Sequence, residues 1–96
     1  MADQDTGKPY ADEGRFGNHW TRTFDPANLD GGDLVWHRDE FDRTVVVVHG
    51  LGWQLQIENE LPVTLMQDRE YFIRAETYHR VIAGSTPLVL DITEHR

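Results

Sequence analysis

Two polar stretches of this chain carry the residue types that do chemistry. One is HRDEFDRTVVVVHG, residues 37–50, and the other is YFIRAETYHRVIAG, residues 71–84. His37 and Asp39 are two residues apart, so on an extended chain they face the same way, about 6.6 Å apart. Together they can reach one ion or one small molecule. As an oriented imidazole–carboxylate pair they can also serve as a general base, because the ordinary histidine pKa lies near neutrality. His79, on the second stretch, can close the same site if the two stretches fold together. Arg43 offers a planar fork that grips a carboxylate or phosphate of a ligand, or else pairs with Asp39, Glu40 or Asp42. His49 shares the parity of Arg43, Val45 and Val47, and is expected at the far end of the same cavity. Gln54 is a further candidate substrate contact, in the register that turns the glutamines of WQLQIE inward. The HGLG turn at residues 49–52 is not a phosphate loop, because no helix follows to supply N-terminal amides.

The elements that must position these groups are strands. Residues 19–24, HWTRTF, alternate, and residues 34–39 read as a strand with Val35, His37 and Asp39 on one face. Residues 44–49 are the strongest strand, since four successive valines favour the pleated surface over the helix. A continuous apolar run predicts burial on both faces. Residues 53–58 alternate, with Trp53, Leu55 and Ile57 on one side. Strands are also expected at residues 61–66, 70–74, 78–83 and 88–94, the last with Leu88, Leu90 and Ile92 inward. Asp25-Pro26-Ala27-Asn28, Asp30-Gly31-Gly32-Asp33, Gly50-Leu51-Gly52 and Gly84-Ser85-Thr86-Pro87 are turn signals. About eight short strands with no helix of credible length predict an all-β sandwich or small closed barrel, and closure hides strand edges.

Composition narrows the classes. The 96 residues carry a formal net charge of −8, which disfavours nucleic acid and anionic membranes as partners. The absence of cysteine excludes disulfides, thiolate metal sites and thiol nucleophiles. No apolar run reaches the length of a membrane span and no signal-peptide pattern opens the chain, so a cytoplasmic location is the default expectation. Residues 1–15 read as a disordered acidic tail and residues 16–96 as one domain.

The spacing of the polar residues resembles that of a small single-domain cupin across residues 32–94. The first cupin motif, G-x5-H-x-H-x(3,4)-E-x6-G, is matched in spacing by Gly31, His37, Asp39, Arg43 and Gly50. The second, G-x5-P-x-G-x2-H-x3-N, falls on Asp68, Arg74, Glu76, His79 and Ala83, of which His79 alone keeps the motif residue. The resemblance implies a jelly-roll barrel of antiparallel strands and a divalent metal site held by His37, Asp39 and His79. This set suits Fe, Mn, Zn or Ni and leaves positions open for substrate. It also implies a homodimer, with Trp36 facing outward and covered by a second subunit or by the N-terminal strand, Trp20 and Phe24 being its expected partners. The departures are Asp39 in place of a histidine and Arg43 in place of the glutamate, and an arginine cannot ligate a cation. The expected function is that of a small-molecule-binding cupin with a degenerate metal site and, if it is an enzyme, an isomerase- or dioxygenase-like one. The rival is a metal-free module that holds a small organic anion on Arg43. A barrel filled by Val45, Val47, Leu55, Ile57 and Leu90, with no pocket, would instead mark an interaction protein.

Overall fold

The computed structural model describes residues 10–27 and 34–96. Its eight strands are β1 (Tyr10–Phe16), β2 (His19–Phe24), β3 (Asp42–His49), β4 (Gln54–Ile57), β5 (Val63–Thr64), β6 (Glu70–Ile73), β7 (His79–Ile82) and β8 (Leu88–His95). All pair antiparallel, in a five-stranded sheet of order β1-β2-β8-β3-β6 and a three-stranded sheet of order β5-β4-β7. No described residue is α-helical. The inner faces of the two sheets meet in one core, so the molecule is a small antiparallel β-barrel.

Period-2 alternation decides which residues enter that core. On β8, Leu88, Leu90 and Ile92 are buried, as the alternation requires, and on β2 Trp20, Arg22 and Phe24 take the inner face. Trp53 is fully buried and donates its indole N–H to the Thr86 carbonyl at 2.6 Å. Its ring leaves no room above Gly84: a Cβ there would lie 2.5 Å from Trp53 Cδ1 and clash with the Leu51 carbonyl. Gly50, with φ +155°, packs so closely on Leu88 that a side chain would meet Leu88 Cδ1 at 2.6 Å.

Four expectations change. The valine run is buried on one face only: Val45 and Val47 point into the core, Val46 is half-buried and Val48 is exposed, because β3 lies within one sheet and has no second sheet over its back. Residues 34–39 form no strand; a single antiparallel bridge joins His37 to His79. Residues 10–15 of the presumed tail form, with Phe16, strand β1 (Tyr10–Phe16). There Asp12 lies opposite Arg22 and takes two hydrogen bonds from its guanidinium, at 2.7 and 2.9 Å. A polar edge strand packs through one face only and so lacks an apolar signature. Trp20 and Phe24, expected to cover Trp36, are instead core residues, 1% exposed each. Trp36 lies on the outer face under the Arg80 guanidinium, 4.9 Å from its ring. Residues 1–9 and the turn at 30–33, including Gly31, lie outside the described residues.

The two positions where the second cupin motif has glycine are Asp68 and Glu76. Both have a left-handed backbone, with φ of +67° and +59°.

Candidate metal centre

His79 opens β7 with its side chain inward, 3% exposed. His37 docks beside it through a reciprocal pair of backbone hydrogen bonds, His37 N–H to His79 O at 3.0 Å and His79 N–H to His37 O at 2.8 Å. Directly opposed residues of an antiparallel pair share a face, so this bridge brings the imidazoles together, 4.3 Å apart at the ring centroids. Two residues on, the Asp39 carbonyl accepts the Glu76 N–H at 2.7 Å, and the Asp42 carboxylate accepts the Ala75 N–H at 2.7 Å. The left-handed turn at Glu76 thus clamps the segment that carries Asp39. His37, Asp39 and His79 have potential ligand atoms all within 4.8 Å of one another.

The hydrogen bonds set the histidine tautomers. His37 Nδ1 bonds the Val35 carbonyl at 2.9 Å and His79 Nδ1 bonds the Thr77 carbonyl at 2.8 Å. A carbonyl oxygen can only accept, so each Nδ1 carries the proton and Nε2 is the nitrogen left to ligate. His79 Nε2 lies 3.2 Å from Asp39 Oδ2, a buried oxygen that makes no hydrogen bond. Two lone pairs at that distance repel unless a proton or a cation lies between them.

Arg43 touches the same oxygen. Its Nη1 is 3.3 Å from Asp39 Oδ2 and its Nη2 is 3.3 Å from Glu94 Oε2, while its Nε is buried without a hydrogen bond. Burial raises the Asp39 pKa, but the His79 contact, the Arg43 charge and the nearby His79 and His37 outweigh it, so the carboxyl titrates below its ordinary value. Glu94 is likewise lowered: burial opposes ionisation, and the Arg96 and Arg43 guanidinium groups overcome it.

Beside the cluster lies a cavity of about 30 Å³, walled by Arg22, His37, Arg43 and His79 at its polar end and by Val45, Leu55, Ile73, Val81 and Leu90 among its apolar residues. That is room for roughly one water molecule. The barrel interior is therefore nearly filled, although it is not solid.

The remaining expected site residues fall elsewhere. A register shift between Val47 and His49 breaks the parity of β3, so His49 is exposed and does not line the cavity. Gln54 keeps the alternation of its strand: Trp53 and Leu55 point inward, and Gln54 is half-buried away from the cavity lining. Glu40 is exposed, and Asp42 anchors the Ala75 turn. Arg22, which lines the cavity, and Glu94, which pairs with Arg43 beside it, were not among the expected site residues. Their signal was a charged residue at an inward position of an otherwise apolar alternation: Leu88, Leu90, Ile92, Glu94 on β8 and Trp20, Arg22, Phe24 on β2.

No protein-family model matches this sequence. No curated protein matches it either. Solved structures do match. A cupin domain from Bordetella pertussis Tohama I aligns with a TM-score of 0.66 and 20% identity, over 96% of this chain and 99% of that one. A cupin-2 domain protein from Shewanella frigidimarina NCIMB 400 aligns at 0.63 and 19%, over 91% and 79%. KdgF from a Halomonas species aligns at 0.63 and 20%, over 99% and 86%. The protein has the cupin fold.

The residues present fit a divalent ion. Two imidazoles and an ionised carboxylate are a donor set suited to borderline metals, and the buried Asp39 Oδ2 already draws positive charge to itself from Arg43. Metal–ligand bonds of about 2.0–2.2 Å set donors about 3 to 4 Å apart, so ligation asks the side chains to close by about 1 Å.

Proposed function

We propose that this cupin-fold protein uses His37, Asp39 and His79 to hold a divalent metal ion and acts on a small polar or anionic molecule that presents one oxygen to the site. The observation that supports it best is the pair of Nδ1-to-carbonyl hydrogen bonds, which turn the Nε2 side of both histidines toward the buried Asp39 carboxylate. The ion, when bound, would act as a Lewis acid toward that oxygen. The chain's own residues supply the rest. Val35 and Thr77 fix the ring orientations through their carbonyls, and Asp39 balances charge. Val81 and Ile73 help exclude water from the inner side. The cavity's volume means that the bulk of any substrate stays at the mouth of the barrel. The metal-free alternative, an organic anion gripped by Arg43, has less support, because Arg43 already lies between two carboxylates.

We also propose that the protein works as a homodimer. The exposed neighbours Val35 and Trp36, at 54 and 43%, support a covered outer surface.

The metal reading is tested by thermal unfolding with and without Zn²⁺, Mn²⁺, Ni²⁺ or Fe²⁺. Saturating metal is expected to raise the wild-type Tm by several degrees, the stabilisation scaling with the logarithm of free metal. His79→Ala is expected to abolish the shift. A wild type that none of these ions stabilises would sink the proposal.

A further inference from the structure

We propose that Arg43 is a built-in competitor for the metal site, and that Glu94 is the acceptor that takes Arg43 when a cation arrives. This rests on the metal reading above and concerns what sets the affinity of that site.

Arg43 faces two carboxylates at once and satisfies neither well. Its contacts to Asp39 Oδ2 and Glu94 Oε2 are both 3.3 Å, whereas a guanidinium–carboxylate hydrogen bond at its optimum is about 2.7–2.9 Å. Its Nε, well inside the protein, has no hydrogen-bond acceptor. The group is thus held between two positions. The position near Asp39 places a fixed positive charge on the oxygen that a metal would ligate. The position near Glu94 would let the fork close on a carboxylate and satisfy more of its donors.

Glu94 is built to receive it. Arg43 and Glu94 are direct cross-strand partners on β3 and β8, so the pair is preset by the sheet register. Glu94 divides its two oxygens: Oε1 is held by Arg96 at 2.8 Å, and Oε2 faces Arg43. The Trp20 ring, 5.3 Å from the guanidinium carbon, provides a surface on which the charge can shift sideways. In the absence of metal, Arg43 neutralises Asp39 and keeps a buried carboxylate from standing uncompensated. When a cation binds, that compensation is redundant and the two positive charges repel, so Arg43 moves fully to Glu94. Asp39 in this arrangement always has a cation, either its own arginine or a metal.

Isothermal titration of Zn²⁺ and of Mn²⁺ into the full chain tests this, with wild type, Arg43→Met, Arg43→Lys, Glu94→Gln and His79→Ala compared. Arg43→Met keeps the apolar stem and removes the charge, and it is expected to bind at least tenfold more tightly than wild type. Arg43→Lys keeps the charge and is expected to stay within about threefold of wild type. Glu94→Gln removes the receiving carboxylate, so Arg43 stays on Asp39, and affinity is expected to fall severalfold. Should Arg43→Met fail to fold, the Glu94→Gln loss carries the test. If wild type binds and His79→Ala does not, yet Arg43→Met is unchanged or weaker, the metal reading stands and the competitor role is overturned. If Glu94→Gln binds as well as wild type, the receiving role falls. If neither wild type nor Arg43→Met binds either ion, the metal reading fails and this inference fails with it.

Discussion

The two stretches that meet at the site hold their histidines by different physics. His79 begins a strand, is buried to 3%, and belongs to a segment pressed against Trp53 through Gly84 and against the core through Val81. His37 sits on a segment with no regular strand, attached by one backbone bridge and by the polar contacts of Asp39 and Asp42. One half of the site is therefore fixed by packing and the other by hydrogen bonds and charge. A site built in this way can keep one ligand rigid while the other half adjusts by about the distance that a metal requires.

That contrast can be broken from either side. The largest effect is expected from Gly84→Ala, where the added methyl meets Trp53 and the Leu51 carbonyl with no free space. Overpacking of this kind should lower unfolding free energy by about 2–4 kcal/mol, read by urea denaturation. A loss below about 0.5 kcal/mol would show that the second stretch is not packing-limited.

The charge-held half should answer to acid instead. Asp39 and Glu94 have folded-state pKa values depressed below their ordinary values of 3.8 and 4.5. Depressed carboxylates contribute stability above their unfolded pKa, and that contribution disappears as pH falls through the folded value. Wild type should therefore be more stable than Asp39→Asn at pH 7, and the difference should shrink below about pH 4. Urea midpoints at pH 7, 5 and 3 check this. A difference that persists unchanged at pH 3 would mean that Asp39 acts through packing.

The smallest effect sharpens the turn that joins the halves. Glu76 holds φ +59° and pairs with Arg38 only across an exposed contact of 3.3 Å. A left-handed non-glycine residue is strained by about 1 kcal/mol, and an exposed ion pair offsets little of it. Glu76→Gly is expected to raise stability by up to about 1 kcal/mol, with the Asp39 clamp intact because the contact is made by the backbone N–H.

Several features of this site were legible in the residues alone. The two-residue step from His37 to Asp39 places both on one side whether or not a strand forms, because extended backbone alternates regardless of its neighbours. The rhythm around His79 located the second half, with left-handed turns at Asp68 and Glu76. His49 was misplaced because parity assumes an unbroken register, and a bulge resets it. The valine run suggested a strand buried on both faces because apolar length reports strand propensity, not how many sheets cover it.

By itself, then, the sequence determined that the chain is all-β, where most strands lie, and which residues alternate toward one core, since these depend on neighbours two residues apart. The tertiary structure alone decided that His37 pairs with His79, that Arg43 is shared between Asp39 and a Glu94 lying 51 residues away, and that the cavity closes to about 30 Å³. Those facts depend on distances between segments remote in the chain, and local periodicity holds no record of such distances.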